Sequence, residues 1–421
     1  MGFILALFSF TPKAQDFIKI DASFYSTVLD EARMIDIYLP ADYYLNTDQE
    51  YAAIYFLHGG NGNQNAGNTQ ALWYYNTHSA DTSIQSPPAI FVCPDGSCGP
   101  YMGSMWANSE LYGQFEDFLV QDVITFVEDN FRAVPQKEFR FITGWSMGGM
   151  GSSNIAANNP DMFRGCIPCI AGLSMPDTCL SGWRSGCYLE NGSYDLSYTG
   201  GGFMTQVMFT ICGAYSPNLS LSPYYVDFPF DTLGNWNDDV LERWYEYDVS
   251  RKVKDLPDED ELAWFIICGT QDELLSYPAC LVFADSLDAY SIEHDQNYFD
   301  GVHEFDIESW LLAIHWIDSI IGNSYQAMGI SIMEPDPFSM NVFPNPCNAS
   351  FTLEIESREP MPMQITLWDQ DGRMVRTYDM ADKSIGTYHS TFDISGLSPG
   401  IYFCRVMTGS HTVTRKLIKM E

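Results

Sequence analysis

One hexapeptide limits the possible folds more than any other feature: Gly144-Trp145-Ser146-Met147-Gly148-Gly149. It follows a short predicted strand, Phe139 to Thr143, and opens a segment of helical character from Gly149 to about Asn159, where Pro160 stops it. G-x-S-x-G between a strand and a helix is a tight turn that holds its serine in strained backbone geometry, hydroxyl exposed above a sheet edge. Gly144 and Gly148 leave room for the neighbouring backbones. Ser146 is therefore the candidate nucleophile. The Met147 backbone N–H, at the positive end of the following helix, is one candidate donor to a developing oxyanion.

The rest of the first 320 residues supplies the sheet that such a turn needs. Ala53 to Leu57, Ala89 to Cys93 and Ala263 to Cys268 read as short, continuously apolar strands. Phe115 to Phe131 reads as a helix, with Phe118, Leu119, Val123, Phe126, Val127 and Phe131 on one face; Ile307 to Ile321 reads as a closing helix. Apolar strands alternating with helices predict an α/β fold with a mostly parallel sheet covered on both faces. Between Pro176 and Asp238 this pattern fails. The segment is rich in Gly, Ser, Tyr, Pro and Asn and reads as an irregular lid insertion whose aromatics pack the lid or touch substrate.

A serine hydroxyl needs a base, and the base needs an orienting acid, in the chain order Ser, acid, His. Asp272 follows the strand Ala263 to Cys268 through Gly269-Thr270-Gln271 and is the candidate acid, with adjacent Glu273 in reserve. His303, on a loop just before the last helix, is the candidate base. His294 reads as the end of a strand, and His315 lies inside a helix as a structural histidine. After the first strand, His58-Gly59-Gly60 is placed to supply the second oxyanion donor. Gly60 is favoured with Asn61 as the alternative, and His58 reads as a loop-shaping residue. This chemistry requires no cofactor and no metal, and the acidic run Asp255 to Glu261 reads as a solvated loop.

Charge separates two surfaces. Before Pro337 the chain carries 46 acidic and 12 basic residues; from Pro337 onward it carries 9 and 8. A net charge of −35 repels phosphate backbones, which excludes a general nucleic-acid binder and favours a neutral substrate. Eleven cysteines, with Cys93 near Cys98, Cys166 near Cys169 and Cys179 near Cys187, make no disulfide scaffold in a chain of 421 residues. Residues 1–14 read as the tail of a secretory signal peptide with cleavage near Ala14, a buried first strand being the other reading. No later segment reaches the length of a membrane span.

Two resemblances follow. Val342-Phe343-Pro344-Asn345-Pro346, Leu367 through Asp371-Gly372-Arg373, Leu397-Ser398-Pro399-Gly400-Ile401-Tyr402 and Arg415-Lys416-Leu417-Ile418-Lys419 resemble the C-terminal sorting domain of the type IX secretion system. Short alternating strands make this part, 338–421, a small all-β sandwich after a linker, 323–337. The resemblance implies a Bacteroidota-type bacterium, the type IX machinery as partner, and a secreted or cell-surface location. Residues 15–322 form the main domain. There Leu57-His58-Gly59-Gly60, Phe115-Glu116-Asp117-Phe118, the hexapeptide around Ser146, Asn159-Pro160-Asp161-Met162-Phe163, Gly269-Thr270-Gln271-Asp272 and Gly301-Val302-His303 resemble the putative-esterase group of α/β-hydrolases. That group's catalytic residues carry onto Ser146, Asp272 and His303. Phe305 stands where the group often has Trp. With export, the resemblance implies a serine esterase releasing feruloyl or acetyl groups from a polysaccharide such as xylan. Siderophore or other small esters, or polysaccharide binding without catalysis, are the alternatives.

Overall fold

A computed structural model describes residues 17–327, except 82, 85 and 257–261, and residues 338–420, except 358–360, 371–372, 384 and 409–410. The expected leader 1–14, the acidic residues 258–261 and most of the expected linker lie outside the described residues. The chain divides into two units, Met1–Ile332 and Met333–Glu421.

In the first unit eight strands form one sheet: β1 (Phe17–Ser26), β2 (Glu31–Pro40), β3 (Ala53–Leu57), β4 (Ile90–Pro94), β5 (Arg140–Trp145), β6 (Gly165–Cys169), β7 (Ala263–Gly269) and β8 (His294–Phe299). Their order is β1-β2-β4-β3-β5-β6-β7-β8. β1 and β2 are antiparallel, as are β2 and β4; every other neighbouring pair is parallel. All residues of β3, β4, β6 and β7 are buried, as continuously apolar strands between two helical layers must be. The register sets the site. Leu57 pairs with Gly144, and Phe299 with Gly269, so the loops after β3 and β5 leave the sheet side by side, as do those after β7 and β8.

The helices are α1 (Asn68–Ala80), α2 (Met147–Asn158), α3 (Leu180–Asn191), α4 (Phe203–Tyr215), α5 (Asp238–Tyr245), α6 (Ser276–Ala289) and α7 (Ile307–Ala327). The helical run 115–130 contains a π-helical stretch at Phe118–Val123, after which the Ile124 N–H donates to Leu119 O.

Four features differ from the sequence reading. The β1–β2 hairpin was not expected; its turn is tied down by Asp122, which accepts from Ser26 Oγ and the Val28 N–H. The insertion 176–238 is substantially helical, because α3 buries Leu180, Trp183 and Cys187 on one face and α4 is buried over most of its length. The Gly and Ser content of α3 and of the segments around α4 hides this. His294 begins β8, a half-exposed edge strand, and does not end a strand. α7 continues to Ala327, past the expected linker boundary at 323, because Tyr325 is buried against Phe139 and donates to Glu50 O.

The second unit pairs a three-stranded sheet with a four-stranded one. Its strands are β9 (Phe338–Phe343), β10 (Ser350–Ser357), β11 (Met361–Asp369), β12 (Met374–Lys383), β13 (Gly386–Asp393), β14 (Gly400–Thr408) and β15 (His411–Lys419), ordered β9-β10-β13 and β12-β11-β14-β15. All pairs are antiparallel. Alternate residues of β10 (Phe351, Leu353, Ile355) face a core shared with Ile365, Leu367, Val406 and Leu417.

Candidate active site

The turn between β5 and α2 carries the candidate nucleophile. Ser146 has φ 53° and ψ −112°, a sparsely populated conformation for a side-chain-bearing residue, fixed by its N–H donating to Cys169 O at 2.9 Å. α2 contains Gly148, Gly149 and Gly151, which together cost a helix about 3 kcal/mol relative to alanine. Packing requires them. A Cβ on Gly148 would lie 1.9 Å from Leu57 O, one on Gly149 2.7 Å from Cys169 O, and one on Gly151 2.4 Å from Trp106 Cβ. Neighbouring backbone cannot retreat without opening the β3–β5 pairing. Gly148→Ala is expected to destabilise the protein by roughly 3 kcal/mol or more and to lower kcat at least about tenfold. Thermal melting and initial rates check this; wild-type values for both would show that the turn has slack.

His303 joins Ser146 and Asp272. Its Nε2 lies 2.9 Å from Ser146 Oγ and its Nδ1 2.6 Å from Asp272 Oδ2. An ionised Asp272 only accepts, so the shared proton sits on Nδ1 and Nε2 is left to accept from the serine hydroxyl. Asp272 is buried, and its other oxygen accepts from the Leu274 and Ser276 N–H groups at 2.9 and 3.2 Å. Burial would raise this carboxyl's pKa. The hydrogen bond and charge of His303, with the two backbone donors, outweigh it and hold the group below its ordinary value. Glu273 accepts from the His303 backbone N–H at 3.0 Å, whereas the ring Nδ1 is paired with Asp272. Phe305 packs against Trp145, ring centroids 5.1 Å apart.

At the oxyanion position the two candidates after β3 separate. The Asn61 N–H donates to Met102 O at 2.7 Å, whereas the Gly60 and Met147 N–H groups have no backbone acceptor among the described residues. Gly60 and Met147 both border the cavity beside Ser146. His58 is buried behind them. Its Nε2 accepts from the Gly96 N–H at 2.9 Å and its Nδ1 meets Gly59 O at 2.8 Å, so one neutral tautomer satisfies both. Burial pushes its pKa down. Its place is to shape the loop. His315 is half-exposed, with Nε2 3.3 Å from Asp81.

The cavity holds about 270 Å³. Its walls are largely apolar: Met102, Met105, Met147, Met150, Trp183 and Ile211, with Thr210 and Ser276 among the few hydroxyls. Sequence reading named Met147 only for its backbone N–H and placed Trp183 among the insertion's aromatics; it missed Met102, Met105, Met150 and Ile211 as wall residues. Met102 and Met105 come from the irregular loop 99–107, Met150 from α2 and Ile211 from α4 of the insertion, where no motif marks which side chains face the cavity. All eleven cysteines are free thiols; Cys166 and Cys169 lie on one strand, β6. Among the described residues no group of three metal-binding side chains occurs, and no helix is long and apolar enough to cross a membrane.

Residues 341–420 match the secretion system C-terminal sorting domain, which marks a secreted or cell-surface protein of the Bacteroidota type, exported by the type IX system. A solved ferulic acid esterase covers 73% of the chain and is itself covered over 100% of its length, with 18% identity and a TM-score of 0.51; that likeness concerns the fold. Two Mycobacterium tuberculosis esterases, Rv1288 and MT1326, are 26% identical over 123 residues, 29% of the chain. The matched segment spans only 25% of those relatives' length. Residues 26–315, more than half of the chain, match the family described as putative esterase. The chain belongs to that family and has the α/β-hydrolase fold.

Proposed function

We propose that the protein is a secreted feruloyl esterase, in which Ser146, His303 and Asp272 release a bulky aromatic acyl group from a neutral plant polysaccharide such as xylan. His303 Nε2 takes the proton from Ser146 Oγ as the oxygen attacks the ester carbonyl carbon. The Gly60 and Met147 N–H groups hold the oxyanion, and the imidazolium returns its proton to the departing sugar oxygen. Water, deprotonated by the same nitrogen, then hydrolyses the acyl-enzyme and frees Ser146.

The observation that carries the acyl preference is the cavity: about 270 Å³ of mostly apolar space beside the serine. A feruloyl group would use that space, whereas an acetyl group would leave most of it unfilled and forgo the contacts. The excess of acidic residues favours a neutral chain over an anionic one. Initial rates on methyl ferulate, acetylated xylan, 4-nitrophenyl acetate and a peptide amide test the reading. Methyl ferulate is expected to exceed acetylated xylan in kcat/KM by at least about tenfold, with no amide cleavage. A preference for acetylated xylan would overturn the acyl assignment, and turnover of the nitrophenyl ester alone would overturn the polysaccharide assignment.

A further inference from the structure

We propose that Trp183 and Cys179, on the insertion, are positioning residues that hold the Asp272 loop in register with His303, so that the insertion sets the alignment of the catalytic acid as well as walling the cavity. This rests on the proposed Ser146–His303–Asp272 triad.

The acid sits on a short loop between β7 and α6 that is gripped from two sides. On the inner side the Asp272 carboxylate accepts from the Leu274 and Ser276 N–H groups. That inward turn requires Leu275 to adopt φ 64° and ψ 25°, the left-handed region, which disfavours a leucine by about 1 kcal/mol or more. On the outer side the loop presents the carbonyls of Leu274 and Leu275. The Trp183 indole N–H donates to Leu274 O at 2.8 Å, and the Cys179 thiol donates to Leu275 O at 3.1 Å. Gly182 lies under the Leu275 side chain so closely that a Cβ there would be 2.3 Å from Leu275 Cδ1.

Thus three neighbouring positions on one stretch of chain, 179, 182 and 183, oppose relaxation of a strained loop two to three residues from the acid. The His303–Asp272 contact is short and directional, so a small rotation of this loop weakens it. Trp183 also borders the cavity with its ring, which joins acyl binding to acid alignment in one side chain.

The test uses the full chain and 4-nitrophenyl acetate, whose small acyl group makes little demand on the cavity wall. Trp183→Phe keeps an aromatic ring and removes the N–H. Cys179→Ala removes the thiol donor, and Cys179→Ser restores a donor. Trp183→Phe and Cys179→Ala are each expected to lower kcat roughly 5- to 20-fold with KM within about twofold, while Cys179→Ser stays near wild type. The double variant is expected to lose less than the product of the single losses, because both act on one loop. The low-field NMR resonance of the His303 Nδ1 proton should shift or broaden in the impaired variants. Unchanged kcat in variants that melt like wild type would overturn the proposal, as would equal impairment of Cys179→Ala and Cys179→Ser. If Ser146→Ala retained full turnover, the triad itself would be at fault and not the positioning role.

Discussion

Ser146→Ala is expected to lower kcat by about 10⁵-fold or more while leaving the fold intact. The reasoning is geometric. Position 146 keeps φ near 53° whichever small side chain it carries, because the Ser146 N–H to Cys169 O bond and the glycines of α2 impose it. Alanine therefore meets the same strain, and its methyl group fills nearly the same space. The loss is the Oγ that His303 Nε2 faces at 2.9 Å. The residual rate would come from the Gly60 and Met147 donors acting on a water-driven reaction. Initial rates on 4-nitrophenyl acetate, with a thermal melt alongside, check both halves. A variant that melts normally and retains more than about a hundredth of the wild-type rate would place the nucleophile elsewhere.

Asp272→Asn should cost about 10³- to 10⁴-fold in kcat. The carboxamide oxygen will orient toward the Leu274 and Ser276 N–H groups, since turning the NH₂ group there would set donor against donor. Its NH₂ then faces His303 Nδ1, which must accept. The imidazole proton moves to Nε2, leaving no lone pair there to take the serine proton. The pH dependence of stability should change as well. The Asp272 carboxyl titrates below its ordinary value of 3.8, so its stabilising contribution is complete well above that value and is lost as pH falls through the lower folded-state pKa. Asparagine removes this component, so the acid limb of the melting-temperature profile should flatten. Rates and melts across that range test it; an unchanged kcat would contradict the assigned tautomer.

Much of this arrangement was legible because its elements have strong one-dimensional signals. β3, β4 and β7 are continuously apolar, a pattern that only strands buried on both faces sustain at that length, and β5 is marked by the G-x-S-x-G turn that ends it. Once they are placed, Ser146, Asp272 and His303 each fall just after a strand or just before a helix. The structure brings their side chains together across 157 and 31 residues of sequence. The β1–β2 hairpin escaped notice because Phe17–Ser26 is only partly covered, so polar residues interrupt its apolar pattern. β8 was misplaced for a similar reason, as an edge strand whose residues are half-exposed. The helices of the insertion were hidden by composition: Gly182 and Gly186 lower the helical propensity of α3, while burial of Leu180, Trp183 and Cys187 overrides it. Sequence favours Gly60 over Asn61 without showing why. That distinction depends on Met102 O, which arrives from a distant loop to occupy the Asn61 N–H.

The account stands on Ser146 as the activated nucleophile, and covalent capture tests it most directly. Incubating the full chain with a fluorophosphonate and mapping the adduct by peptide mass spectrometry should place a single modification on Ser146, abolished in Ser146→Ala and strongly slowed in Asp272→Asn. An adduct on another residue, or none in protein that still hydrolyses esters, would contradict the account.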